Sequence, residues 1–389
     1  MADPIVRIAA RGDGVSENGL HVPFAVPGDL LLDDGSLERG AHHQVPPCRH
    51  FPECGGCQLQ HADDQAYSNY LISRTESALA QHDLRTDIRE PHLSPPKSRR
   101  RATLKVQKAG GRVLIGFNAE KSHRIVDMRE CHILHPELFV LVQPLRGVLT
   151  RLLPGNRSAE AQLTLVDQGM DVLLRNVEPV GLAAIEALSG FATSNSLARL
   201  SIDRGAGPET MWEPVPVTVT LSHTSVSFPP GSFLQATADG EAALTSAVCD
   251  AVAGFSALAD LFAGLGTFAL ATSARYAAEA SRDSAAALKR AAPSISVEHR
   301  DLYRRPLNGA ELTRFDAVVL DPPRAGAVEQ IRELASSSVP RIAYVSCNAP
   351  TFARDARALA DGGYSLDWIK PVGQFCWSTH VELAAQFTR

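Results

Sequence analysis

The sequence predicts an α/β chain: a mostly parallel, helix-covered sheet at residues 229–389, an antiparallel-sheet central domain at 48–228, and a shortened barrel at 1–47. Three observations carry this. From about residue 240, apolar runs such as "FDAVVLDPP" and "RIAYVSCN" alternate with amphipathic stretches such as "AVEQIRELASS". That is the signature of strands covered on both faces by helices. Between 97 and 228 the texture is strand-rich instead. Before residue 48, short strands are broken by Gly and Asp turns.

The amino-terminal segment reads "VRIAARGDGV" and "GLHVPFAVPGDLLL", and it carries seven acids against three Arg or Lys. An acidic surface does not favour phosphates. Residues 62–83 read as a helix with Tyr67, Leu71 and Leu79. The strands expected in the central domain are "RATLKVQ", "VLIGFN", "AQLTLVDQ", "MDVLLRNV", "ARLSIDR" and "VPVTVTLS", with one covering helix, "GLAAIEALSGFA". The carboxyl-terminal domain opens on the helix "DGEAALTSAVCDAVAGF".

Composition excludes several classes. The chain has 389 residues, a net charge of −5 and 44% hydrophobic residues. Charge therefore does not advertise a nucleic-acid partner, and no run of about 18 apolar residues offers a membrane span. The start, "MADPIVRIAARGDG", has no basic segment followed by an apolar one, so a cytoplasmic protein is expected. In that compartment seven cysteines are not a disulfide framework. A monomer is the default expectation.

Ligands of parallel sheets sit beyond the carboxyl ends of the strands, so the chemistry belongs in the loops after the apolar runs. The first such loop, "DLFAGLGTF", has Gly264 and Gly266 for a sharp turn. Ala269 stands where a dinucleotide fingerprint wants its third glycine. The next strands end at Glu279, Asp301 and Asp321. Each acid alone is an ordinary loop residue; in register they point to an adenosine-type ligand. Cys347 leaves the fifth strand in "YVSCNAP", where a polar loop near a helix start is expected to lower its pKa. Glu382, in "HVELAAQF", is a lone acid in a strand expected near the sheet centre. A carboxylate there needs a partner or a role, and general base is the candidate role. A thiol nucleophile and a base suit methylation of carbon 5 of uracil, which needs thiolate addition at carbon 6 and then removal of the carbon-5 proton.

Three cysteines crowd "CRHFPECGGCQLQH": Cys48, Cys54 and Cys57. The plausible fourth ligand is distant, Cys131 in "MRECHIL". Three close thiols and one remote one can hold an iron–sulfur cluster, and zinc stays open on spacing alone. The stretch 97–124 holds nine Lys or Arg and one acid. It reads either as a solvated charged face or as a phosphate-binding patch. Arg99, Arg100 and Arg101 are its core.

These motifs, with "SRRRATL", "GFNAEKSHRIVDMRECHIL", "PGSFLQATADGEAAL", "LDPPRAG" and "HVEL", run over most of the chain. Together they resemble the bacterial RNA (uracil-5-)-methyltransferases, those with a four-iron cluster acting on 23S ribosomal RNA. The resemblance implies a class I, Rossmann-like domain that uses S-adenosylmethionine, a TRAM-like OB barrel at the amino terminus, and a flipped uridine as substrate. It implies Cys347 as nucleophile and Glu382 as base. Gln235, Phe262, Gly264, Glu279, Asp301 and Asp321 would serve the methyl donor. Cys48, Cys54, Cys57 and Cys131 would hold a [4Fe–4S] cluster. Relatives that methylate transfer RNA generally lack the cysteine cluster, and they remain the alternative, beside a catalytically dead RNA-binding protein with a structural metal. Gly373 and Cys376-Trp377 depart from the family's pattern.

Overall fold

A computed structural model describes residues 2–389. Among them are four sheets. The first has five short antiparallel strands with Asp3–Ile8 at its centre. Its outer strands, His21–Val22 and Leu37–Glu38, do not pair with each other. The expected barrel is therefore an open sheet here: strands of two or three residues are too short to wrap round and close.

The central sheet has six strands in the order 208–212, 199–203, 169–175, 158–166, 101–109, 112–116. One pair in it, 169–175 with 199–203, is parallel, because the helix Leu182–Ser194 crosses over between the two strands. Two helices in this domain, Pro136–Val140 and Val142–Leu152, were not expected from the sequence. Leu138, Leu141, Val142, Leu145, Val148 and Leu149 are buried at helical spacing in the same core as the sheet's Leu104, Ile115 and Leu163. "VPVTVTLS" yields one strand of a hairpin, Thr218–Leu221 with Thr224–Ser227. Ser222 and His223 both turn at positive φ, the two-residue connection that matches strand twist.

The third large sheet runs 296–299, 276–279, 258–261, 317–320, 341–346, 382–388, 365–373, 87–88. Its first five strands are parallel, and Glu382–Thr388 enters antiparallel between 341–346 and 365–373. The chain order reverses between 258–261 and 317–320, which opens the ligand crevice at their carboxyl ends. Two apolar layers cover the faces, one around Val318, Ile342 and Phe387, the other around Val319, Ala343 and Ala384. Residues 64–93, grouped with the central domain by sequence position, serve this sheet. The helix Asp64–Ala80 contributes Ala78 and Leu79 to its core, and Asp87–Ile88 and His92–Leu93 pair with 365–373. No helix among the described residues is long and apolar enough to cross a membrane.

Candidate active site

The glycine loop after Leu258–Leu261 is shaped by two backbone demands. Gly266 sits at φ +94°, and a Cβ there would come 2.4 Å from the Leu288 side chain. That left-handed turn, set close against the helix Arg282–Ala291, favours glycine. Beside it, Phe262 is held at φ 64°, unusual for a large side chain, with its ring 5.6 Å from that of Tyr303. The Gly264 and Ser281 amides donate to the two carboxylate oxygens of Glu279, at 2.8 and 2.6 Å. Glu279 is thus fixed at the end of the second strand, with lone pairs left for a ligand's hydroxyls. Asp301 accepts the Tyr303 amide at 3.0 Å. The Tyr303 hydroxyl donates to the Gly326 carbonyl at 2.9 Å and ties this loop to "DPPRAG".

These loops surround a cleft of about 860 Å³ that also reaches the central sheet. It is lined by Cys347, Glu382, Gln235, Phe262, Gly264, Glu279, Asp301 and Asp321, so the eight residues singled out for catalysis and donor binding meet in one place. That volume is in the range of sites for small organic ligands.

Charge in the cleft follows from burial and crowding. Burial, partly opposed by Gln374 and Arg101, raises the Glu382 carboxyl to about 7. Asp321 is held well above the ordinary carboxylate range by burial, then by Glu382, Asp260 and Glu279. Asp260, fully buried beneath the glycine loop, rises to about 8, chiefly through burial. For Cys347 the structure reverses the expectation. Burial, then the charges of Glu382 and Asp321, push its thiol up to about 11, against weak opposition from its own amide and Arg324. The loop chemistry that promised a low pKa is outweighed by desolvation and by two carboxylates of the same sign.

Sequence reasoning missed Gln374, Phe233 and Phe375, and it named Arg99 and Arg101 without their ring partners. Gln374 is 2% exposed; it donates to the Gln235 side chain at 2.9 Å and accepts the Ala236 amide at 3.0 Å. Arg101 lies over the Phe233 ring at 4.4 Å. Arg99 lies 5.2 Å from the Phe375 ring and 5.8 Å from the Phe117 ring. The basic stretch 97–124 does not present all its charges on one face. Arg100 turns inward to Glu241 at 2.6 Å, and Lys108 donates to the Thr150 and Leu153 carbonyls. Lys105 pairs with Glu160, Arg124 with Glu53 and Lys121 with Glu120. What remains toward the cleft is Arg99 and Arg101.

Comparison with known proteins meets the same cleft from another direction. Residues 294–389, which carry Cys347 and Glu382, match the tRNA (Uracil-5-)-methyltransferase family. An uncharacterized RNA methyltransferase of Zymomonas mobilis is 50% identical over 393 residues, covering 99% of each chain. The 23S rRNA (uracil(1939)-C(5))-methyltransferase RlmD of Pectobacterium carotovorum is 30% identical over 421 residues, covering 99% of this chain and 92% of its own. The chain belongs to the RNA uracil-5-methyltransferase family. In fold, this methyltransferase is similar to the Pyrococcus abyssi tRNA (uracil-54, C5)-methyltransferase solved with S-adenosyl-L-homocysteine, with a TM-score of 0.76 at 22% identity, covering 100% of this chain and 99% of that one.

The methyltransferase has a second cysteine site. Cys48, Cys54, Cys57 and Cys131 line one small cavity walled by Phe51, Phe117, Val126, Met128 and Ile133. Burial raises all four thiols above their ordinary value. Among the described residues, no group of three or more His, Cys, Asp or Glu is drawn together tightly enough to hold a metal ion. A tetrahedral zinc would need four sulfurs about 2.3 Å from one point.

Proposed function

We propose that this protein methylates carbon 5 of a uridine in 23S ribosomal RNA, with S-adenosylmethionine as donor and a covalent Cys347–carbon 6 adduct as intermediate. The observation that carries the reading is the meeting of Cys347 and Glu382 in a cleft whose far wall is the glycine loop, Glu279 and Asp301. The donor, when bound, supplies an electrophilic sulfonium methyl. Gln235, Phe262, Gly264, Glu279, Asp301 and Asp321 line the space where it would lie. Cys347 sulfur, as thiolate, adds to carbon 6, and the electron pair of the carbon 5–carbon 6 bond makes carbon 5 nucleophilic. Once carbon 5 carries the methyl group, Glu382 takes the remaining carbon-5 proton. The double bond re-forms and the carbon 6–sulfur bond breaks, returning the thiolate. The Glu382 value near 7 suits a base that works at neutral pH. Arg99, Arg101, Phe233 and Phe375 offer guanidinium and ring faces to a base taken out of its stack.

Support for ribosomal rather than transfer RNA comes from the relation to RlmD along nearly the whole chain and from the four-cysteine cavity. We read that cavity as the seat of a [4Fe–4S] cluster. Four thiols line that one cavity, and three close cysteines with one remote cysteine can hold such a cluster. It would tie residues 48–57 to Cys131. The protein would act as a monomer in the cytoplasm.

Mass mapping of 5-methyluridine in ribosomal and transfer RNA, from cells with and without the gene, tests the substrate. One modified uridine of 23S RNA should be lost; loss confined to transfer RNA overturns that assignment. Trapping on RNA containing 5-fluorouridine tests the chemistry, since the adduct has no carbon-5 proton to lose. Absence of any Cys347 adduct in the presence of donor would sink the enzymatic reading. Iron and sulfide assay after purification without oxygen tests the cluster, and a colourless, zinc-loaded protein refutes it.

A further inference from the structure

The loop 374–381 runs from the end of strand Ser365–Gly373 to Glu382, the first residue of the last strand. Glu382 pairs with Val372 in the sheet, and its carboxylate leaves that sheet toward Gln374 of this loop, which hydrogen-bonds it. Most of its anchors come from far away in sequence. The Gln58 and Leu59 amides both donate to the Trp377 carbonyl at 2.9 Å. The Gln58 side chain bridges two segments: its amide nitrogen donates to the Gly55 carbonyl at 2.7 Å, and its oxygen accepts the Thr379 amide at 3.3 Å. From the helix Asp64–Ala80, the Tyr67 hydroxyl donates to the Phe375 carbonyl at 3.0 Å and the Tyr70 hydroxyl to the Thr379 carbonyl at 3.3 Å.

Packing reinforces these bonds. Trp377, held at φ 56°, is 6% exposed and packs with Cys57 and Ile133. A bulky residue keeps such a backbone only when its surroundings over-determine it. Val381, next to Glu382, shares a buried cluster with Leu59, Tyr67 and Tyr70. The loop is thus clamped along its length by one short piece of chain that also carries Cys57.

We propose that the segment 55–70 is a latch that positions Glu382 through the loop 374–381, with Gln58 as its central positioning residue. The inference rests on the reading of Glu382 as the base. It gives the cysteine-bearing segment a role in the second half of the reaction: the latch governs removal of the carbon-5 proton, and thiol addition does not depend on it. Cys347 follows a different strand, Arg341–Ser346, in its own loop, and none of the latch's hydrogen bonds reaches it.

The test compares two rates in the full-length protein carrying Gln58→Ala and, separately, Tyr67→Phe/Tyr70→Phe. One is adduct formation on 5-fluorouridine RNA, which needs Cys347 and the donor but no proton removal. The other is turnover on the same RNA with uridine. The latch predicts adduct formation and donor affinity within about twofold of the unsubstituted protein, and turnover slower by about tenfold or more, as expected when a catalytic group is displaced. A methylated Cys347 adduct should then accumulate on uridine RNA. Gln58→Ala should also leave the melting temperature nearly unchanged, since Gln58 is half-buried at the cleft. Parallel loss of both rates would reduce the segment to a general structural support, and unchanged turnover in both variants would overturn the latch. If the unsubstituted protein itself forms no adduct, the fault lies in the proposed reaction and not in the latch.

Discussion

Two thiol sites of this chain have surroundings that differ. Cys347 opens onto a cleft with Glu382 and Asp321, and both carboxylates raise its pKa beyond what burial does. The four thiols of the second site share a small cavity with apolar side chains and with His50, Glu130 and His132, and desolvation is the largest cause of each rise, as it is for Cys347. Burial alone therefore does not separate a reactive cysteine from a structural one. What separates them is the space they open onto. Cys347 faces a cleft of about 860 Å³ that can admit a substrate, while the other four close on one small cavity that suits a group held in place.

The largest expected effect lies on the reactive side. Cys347→Ala should abolish the adduct and lower methyl transfer by about 10⁴-fold or more, whereas Cys131→Ala should leave transfer of a bound methyl group measurable. Labelled-methyl incorporation measures both, and comparable losses would erase the distinction. Next comes Glu382→Gln, for which turnover should fall by about 10²–10³-fold while a covalent RNA adduct still forms on uridine, visible as a band shift in a denaturing gel.

A third contrast is in stability. Cys131→Ala should lower the melting temperature by several degrees and bleach the purified protein, with donor affinity by calorimetry within about twofold. A fourth is in pH. The Glu382 carboxyl titrates near 7 when folded and near its ordinary value of 4.5 when unfolded, so folding favours its protonated form. That stability is complete below about 4.5, is lost as pH rises toward 7, and changes little above. It is worth on the order of 3 kcal/mol at most. Glu382→Gln should accordingly gain melting temperature over the unsubstituted protein between pH 5 and 7 and hold that gain at pH 8. Turnover of the unsubstituted protein should rise through an apparent pKa near 7; a flat profile from pH 6 to 8 would remove Glu382 as the base.

The smallest effect separates the arginines. Arg100→Ala breaks a partly buried pair with Glu241 and should cost about 1–3 kcal/mol of stability with RNA affinity unchanged. Arg101→Ala, inside the cleft, should weaken RNA binding in filter assays. Equal RNA losses for the two would restore the continuous basic face.

Most of what could be read in the sequence of this protein is local. Strand ends at Glu279, Asp321 and Cys347 follow from apolar runs and the rule that ligands gather at carboxyl ends. The helices at 136–152 were equally local, in the i, i+3, i+4 spacing of Leu138, Leu141, Val142 and Leu145, but their strand-rich neighbourhood masked it. Other features belong to distance. No local pattern tells that 87–88 and 92–93 will pair with 365–373, or that Gln58 will reach Thr379 across 321 positions. Nor does a run of arginines announce that Arg100 faces a buried glutamate while Arg101 faces a cleft. The pKa of Cys347 is the plainest case. Residue type and loop position concern the thiol alone, but its charge state depends on desolvation and on Glu382 and Asp321, which approach only when three separate strands align. Identity and order of the chemical groups were written in the chain; their mutual fields, which fall with distance and grow as water is removed, came into being with the fold.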